Sequence, residues 1–345
     1  MKRNHKYVLS LIPGLMVLTG NLLGGWWVLL NTFFSLGVLA ILENFVHEDK
    51  DNEAEEEDWF PDGLLVAHVI LQTICIATVV WSTVIHDYSF IQLVMLSLSV
   101  GINSGASAIV IAHELIHRKD PKFNVLGQYL LFTAGNIYFF IDHLKVHHKW
   151  VGTLKDPATS RYGENVYSFF VRSFTGQIRS AFQVEANRLK SEGKFAWSIR
   201  NYVVACALLL GLFYLSMMLV FGWKVLVVLV LQGFFANFLL EYTNYIEHYG
   251  LSRNQDERVT EIHSWQTDKV ISRFFLIDLS RHADHHYYAS KPYHTLKSYE
   301  NSPLLPGGYV SMIYYALIPP LFFRKIHPLM NKSDSPSGIS VSSVQ

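Results

Sequence analysis

Six stretches of the chain are apolar over roughly the twenty residues that a membrane helix needs: about 7–23, 25–46, 63–85, 89–112, 199–221 and 223–243. The pattern predicts an all-α, polytopic membrane protein with about six transmembrane helices. The first two stretches meet at Gly24 and Gly25, so one long span plus a surface helix is the alternative to a tight pair. The links at 86–88 and near 222–224 are too short to fold outside the bilayer. Two longer polar blocks remain, 113–198 and 244–330, and they are expected to form a cap on one transmembrane unit, a single domain over 1–330. Residues 48–58 carry eight acids against one lysine and read as a solvated linker. The Ser-rich stretch 331–345 has no core-forming pattern and is expected to be a disordered tail.

Composition agrees with the pattern: half the residues are apolar and only 16% are charged, a balance that fits a membrane protein better than soluble domains. The formal net charge is zero, which gives no argument for nucleic-acid binding. The distribution of charge is informative. Of the 28 Lys and Arg, Lys2, Arg3 and Lys6 precede the first span, 13 lie between 113 and 200 and 10 lie after 248, leaving Lys50 and Lys224. With six spans all but Lys224 fall on one side, which the positive-inside rule makes cytoplasmic. The expected location is the inner (cytoplasmic) membrane. No small-residue cleavage site follows the first apolar run, which therefore reads as a retained span. Cys75 and Cys206 are isolated within spans and cannot form a Cys-x-x-Cys redox site. Any electrons the protein uses must come from a partner.

Nine of the sixteen histidines fall into compact groups: His113 and His117; His143, His147 and His148; His248 in N-Y-I-E-H-Y-G; and His282, His285 and His286. One ion rarely uses more than four to six ligands, so nine point to two ions. The spacings H-x-x-x-H-H and H-x-x-H-H put two histidines on one helical face and a third about 100° away, able to serve a second ion. H-E-L-I-H at 113–117 taken alone matches the zinc-protease pattern H-E-x-x-H, but the seven further histidines argue against a peptidase. Glu114, Asp142, Glu247 and Asp284 each adjoin a grouped histidine and are candidates to receive its second N–H, and His263 is a candidate supporting residue. A two-metal centre capping an apolar bundle suits oxidation of a greasy substrate by O₂, for which iron is the strongest metal. A histidine-lined metal carrier is a distant alternative, because it would need ligands spread through the spans.

The chain resembles the membrane-bound non-haem di-iron alkane 1-monooxygenases, or alkane ω-hydroxylases, within the fatty-acid desaturase and hydroxylase superfamily. The three histidine boxes of that superfamily match H-E-L-I-H at 113–117, H-L-K-V-H-H at 143–148 and H-A-D-H-H at 282–286. D-P-A-T-S-R-Y-G-E at 156–164, N-Y-I-E-H-Y-G at 244–250 and S-R-H-A-D-H-H at 280–286 favour the alkane hydroxylase branch over the desaturases. The resemblance implies two iron ions held by the nine histidines, and transfer of one oxygen atom from O₂ to a terminal methyl group. It also implies electrons from a separate rubredoxin, itself served by a rubredoxin reductase. Fatty acyl desaturation or hydroxylation and xylene-type methyl hydroxylation are the alternatives.

A medium-chain alkane has no polar handle, so an apolar channel must select it, with about 0.8 kcal/mol gained per buried methylene. The first four spans are expected to form that channel, with Trp26 and Trp27 as wall residues or interfacial anchors. Arg118, Lys119, Lys122, Lys145, Lys149, Lys155 and Arg161 crowd the first two boxes. Arg118, Lys119, Lys145 and Lys149 are the main candidates to steer an acidic rubredoxin.

Overall fold

A computed structural model describes residues 3–53 and 59–330. The expected tail at 331–345 and residues 54–58 of the acidic linker lie outside the described residues. Among those described, every regular element is helical, with two isolated β-bridges, Glu48 with Lys269 and Gln266 with Leu304.

Six helices are long and apolar enough to cross a membrane: α1 (Arg3–Leu23), α2 (Gly25–Glu43), α3 (Phe60–Ile85), α4 (Phe90–Ile116), α8 (Tyr202–Phe221) and α9 (Trp223–His248). Between α4 and α8 run α5 (Pro121–Thr133), α6 (139–150) and α7 (Val166–Ser191). After α9 come α10 (Val270–Phe275), α11 (His282–Tyr287), α12 (Tyr309–Ala316) and α13 (Pro319–Met330). The α1–α2 junction is a true hairpin, with Gly24 and Gly25 both at positive φ, where a side chain would be strained. Trp26 and Trp27 are exposed, and neither lines the two apolar cavities beside the histidines.

Helices α4 and α9 run farther than the apolar runs do, to Ile116 and His248, so His113 and His248 sit inside helices rather than after them. Burial explains the extension: 78% of the apolar window of α4 is inside the protein, against 6% for the peripheral α8. Surrounded by protein, α4 can carry polar side chains without leaving the helix. Its contact with α9 needs small residues. A Cβ on Gly101 would stand 2.6 Å from Phe235 Cβ, and one on Gly105 2.8 Å from Leu239 Cβ, so both positions let the two backbones approach closely.

The block 113–198 is not wholly a cap. Helix α5 turns back along α4, with Gly127 against Ala112, Leu115 and Ile116, and its end reaches Gln232. That residue is sixteen positions before His248, or about 24 Å down α9 at 1.5 Å per residue. The chain breaks its helix there, at 134–138, well within the span of α9. Broken backbone at such depth must find partners in the protein. Gln232 Nε2 donates to Thr133 O, Asn237 Nδ2 to Ala134 O, and Asn136 Nδ2 to Asn237 Oδ1. Asn136 Oδ1 accepts from the amides of Tyr138 and Phe139. Helix α6 then climbs back to the histidines.

The described part of the acidic linker, 48–53, is mostly exposed but fastened. Asp49 O accepts from Arg273 Nη1 at 2.7 Å, and Asp51 O from Arg281 Nη2 at 2.7 Å. Arg273 Nε donates to Asp278 Oδ1, and Tyr7 OH to Asp278 Oδ2. These buried contacts tie α1, the linker and α10 to the residue that precedes the third histidine box.

Candidate metal centre

Helices α4, α6, α9 and α11 bring all nine grouped histidines together. His113, His117, His143, His148 and His285 form one group and His147, His248, His282 and His286 a second, the offered donor atoms in each lying within 4.8 Å of one another. His113 and His117 share a group, as one helical turn predicts, and so do His282 and His286, with His285 rotated into the other.

The second box departs from expectation. An α-helix would pair His143 with His147 and turn His148 away, but 143–147 winds as a π-turn. Bonding from i to i+5 brings residues five apart into line, so His143 and His148 share a group and His147 serves the other.

The donor geometry fits cations. Nε2 of His117, His143 and His148 stand 3.0–3.1 Å from one another, and His285 Nε2 lies 3.1 Å from His148 Nε2. In the second group His286 Nε2 is 2.9 Å from His282 Nε2 and 3.2 Å from His147 Nε2. Each nitrogen carries either a proton or a lone pair, so a closed triangle must set like against like on at least one edge. A shared ion removes the conflict, since bonds of about 2.1 Å at about 90° put donors about 3.0 Å apart. Nε2 of His113 and of His248 are buried with no hydrogen-bond partner, as an ion-facing nitrogen would be.

Burial, then the charge that neighbouring histidines would carry, pushes His143, His148, His282, His285 and His286 well below the ordinary imidazole range. His117 is pushed down to about 4, by burial first and then by His147. These rings are held neutral, the form that offers a lone pair to a metal.

The supporting residues differ from those expected. Asp156, absent from the candidates, lies 2.9 Å from His147 Nδ1 and is wholly buried. Burial alone would raise its carboxyl, but His147 and the Thr159 hydroxyl hold it below its ordinary value. The signal was present in D-P-A-T-S-R-Y-G-E, which begins at Asp156. Of the four expected acids only Glu247 meets a grouped imidazole, with Oε2 3.1 Å from His282 Nε2, while its Oε1 accepts from Tyr309 OH at 2.8 Å. Glu114 is taken by Arg118, Asp142 by Ser180, and Asp284 by Lys291, Tyr299 and the Lys297 amide. His263 takes part through its main chain, which hydrogen-bonds His248, while its ring accepts from Thr260 N.

An apolar cavity lies below the histidines, lined by α1, α2, α4, α9 and the cap residues 275–279 and 309–313. Helix α3 contributes none of these residues, so the wall is not the first four spans: α9 and the cap replace α3. Gly105, Val110, Thr243 and Leu279 also line a second cavity that reaches His113, His143, His282 and Glu247. Two further π-turns, 33–39 in α2 and 104–109 in α4, supply Ser35, Leu36, Leu39, Gly105 and Ala106 to the larger cavity.

Comparison with known proteins agrees with this site. The fatty acid desaturase family profile matches residues 88–316. The chain is 33% identical over 340 residues to an alkane 1-monooxygenase of Acinetobacter baylyi, covering 92% of this chain and 83% of that protein. It is 36% identical over 319 residues to alkane 1-monooxygenase 2 of Pseudomonas aeruginosa, covering 88% and 83%. The xylene/toluene monooxygenase hydroxylase component of Pseudomonas putida is 29% identical over 234 residues, covering 66% and 62%. The chain belongs to the fatty acid desaturase family and, within it, to the alkane 1-monooxygenases. It is an oxidoreductase of that type, built as a multi-pass membrane protein.

Proposed function

We propose that the protein hydroxylates the terminal methyl group of n-alkanes, giving primary alcohols, at two iron ions held by the nine histidines. In this reading one ion takes His113, His117, His143, His148 and His285, and the other takes His147, His248, His282 and His286. The reaction joins RH, O₂, two electrons and two protons to give ROH and water, with the electrons supplied by rubredoxin and its reductase. Bound iron would supply the activation of O₂ and the insertion of one oxygen atom into the C–H bond. The basic cap residues support an inner-membrane location with the site facing the cytoplasm.

The observation that carries this reading is the pair of contiguous apolar cavities ending at His113, His143 and His282. The chain's own residues bind and aim the substrate. Ile102, Ala106 and Leu239 enclose an alkyl chain away from water, and the shared neck at Gly105, Val110, Thr243 and Leu279 presents its end to the imidazoles. Positioning of that kind favours the chain end over weaker internal C–H bonds. The xylene/toluene relative supports methyl groups on aromatic rings as a second substrate class. The test is mass spectrometry of products formed under ¹⁸O₂ with a rubredoxin system, offered n-alkanes, xylene and fatty acyl substrates in parallel. Labelled primary alcohol from an alkane is expected; oxidised acyl product in its absence would withdraw the assignment.

A further inference from the structure

Helix α6 ends at Trp150, two residues after His148, and the indole there carries two cations. Lys155 Nζ stands 4.2 Å and Lys149 Nζ 4.9 Å from the ring centroid. Neither lysine makes an ion pair among the described residues, and neither does the exposed Lys145 one turn earlier. Leu154, between them in sequence, is 76% exposed. Beside the third box Arg258 lies over Tyr287, but Lys291, near Tyr288, is paired with Asp284. Arg118, beside the first box, is likewise paired, with Glu114 and Asp62.

Two ammonium groups gathered on one indole, neither within ion-pair distance of a carboxylate among the described residues, repel each other and favour an anionic partner. The attraction of the ring holds them there, and the exposed leucine adds an apolar centre to a basic rim, the anatomy of a docking surface. The patch adjoins the histidines along the chain. His147 and His148, which belong to different nitrogen groups, precede Trp150 by three and two residues, so the surface is joined directly to both. The two cysteines, Cys75 and Cys206, are not paired with each other and so offer no dithiol to relay electrons.

We propose that Lys149, Trp150, Leu154 and Lys155 form the docking surface for an acidic one-electron carrier protein, and that electrons enter beside the second histidine box. Each transfer oxidises the carrier by one electron and reduces the centre by one, with no bond made or broken. The inference rests on the function proposed above, and its test separates the two.

The full-length, iron-loaded protein in nanodiscs is reduced either by rubredoxin or by dithionite in stopped flow, and binding of zinc-substituted rubredoxin is measured alongside. Lys149→Glu with Lys155→Glu, and the milder Lys149→Met with Lys155→Met, are compared with Lys325→Glu on α13. Expected in both double variants is at least a tenfold loss of the second-order rate with rubredoxin. Binding weakens in parallel, the salt dependence flattens and the dithionite rate is unchanged. Trp150→Leu is expected to slow rubredoxin alone. An unchanged rubredoxin rate in the double variants overturns the surface, and so does a loss shared with dithionite in the methionine pair. Absence of labelled alcohol from the parent protein with either reductant would instead count against the oxygenase reading.

Discussion

His147 is held from behind by Asp156, 2.9 Å from its Nδ1, and this acceptor leaves Nε2 turned toward His286, the direction in which the proposed ion would lie. Asp156→Ala should therefore weaken the group of His147, His248, His282 and His286 by about 10–100-fold in metal affinity, the usual effect of losing such a partner. The other group should keep its ion, so iron measured by plasma mass spectrometry should fall toward half of the parent stoichiometry. An unchanged stoichiometry after dialysis against chelator would show that the ring needs no such support. Acid provides a second test. Unfolded histidines take up protons near pH 6.5, whereas His117 resists until about pH 4, and burial holds His143, His148, His282, His285 and His286 below their ordinary range. Between those values the unfolded chain binds more protons, so stability is present above pH 6.5 and is lost as pH falls. The metal-free protein should melt at a clearly lower temperature at pH 5 than at pH 7.5, and a flat profile would contradict the buried neutral rings. The histidines were legible in the sequence because box spacing survives in the fold; Asp156 stood in a legible stretch, but its pairing with His147 did not show, because it lies nine residues away and outside every box.

The six long helices could be read from apolar run length, since bilayer thickness constrains it directly. Two features of the helices could not. The π-turn at 143–147 reassigns His147 and His148 between groups, and nothing in H-L-K-V-H-H distinguishes that winding from an α-helix. The descent of α5 was hidden for a related reason: the segment 133–136 that ends it looks like part of a cap, yet its partners are Gln232 and Asn237 on a helix a hundred residues away. Asn237 makes a direct test of that element. Its Nδ2 donates to Ala134 O and its Oδ1 accepts from Asn136, so Asn237→Leu leaves two buried groups without partners. At about 1–3 kcal/mol for each, unfolding in detergent should shift by at least about 2 kcal/mol. Loss of less than half that amount would mean that water reaches 134–138.

At the scale of the molecule, the histidine groups close one end of an apolar chamber whose walls come from distant parts of the sequence. Pro13, Leu36, Ile102, Leu239, Leu276 and Ile313 meet around one space, a convergence that no local pattern announces, and for this reason the expected wall of four spans was wrong in α3. The chamber makes chain length a geometric property. Ala106 lies on the π-turn of α4 and lines only the deeper cavity, whereas the neck residues Gly105 and Val110 line both. A larger side chain at 106 should fill the far space and leave the histidines untouched. Each methylene denied burial costs about 0.8 kcal/mol, roughly fourfold in kcat/KM. Ala106→Phe, if it displaces three methylenes, should therefore lower kcat/KM for the longer alkanes by about 60-fold, with short alkanes and iron content unchanged. Competition among a mixture of n-alkanes, read by gas chromatography, checks this in one reaction. A uniform loss across all lengths would mean that Ala106 supports the centre rather than the chamber, and an unchanged length profile would place the bound chain elsewhere.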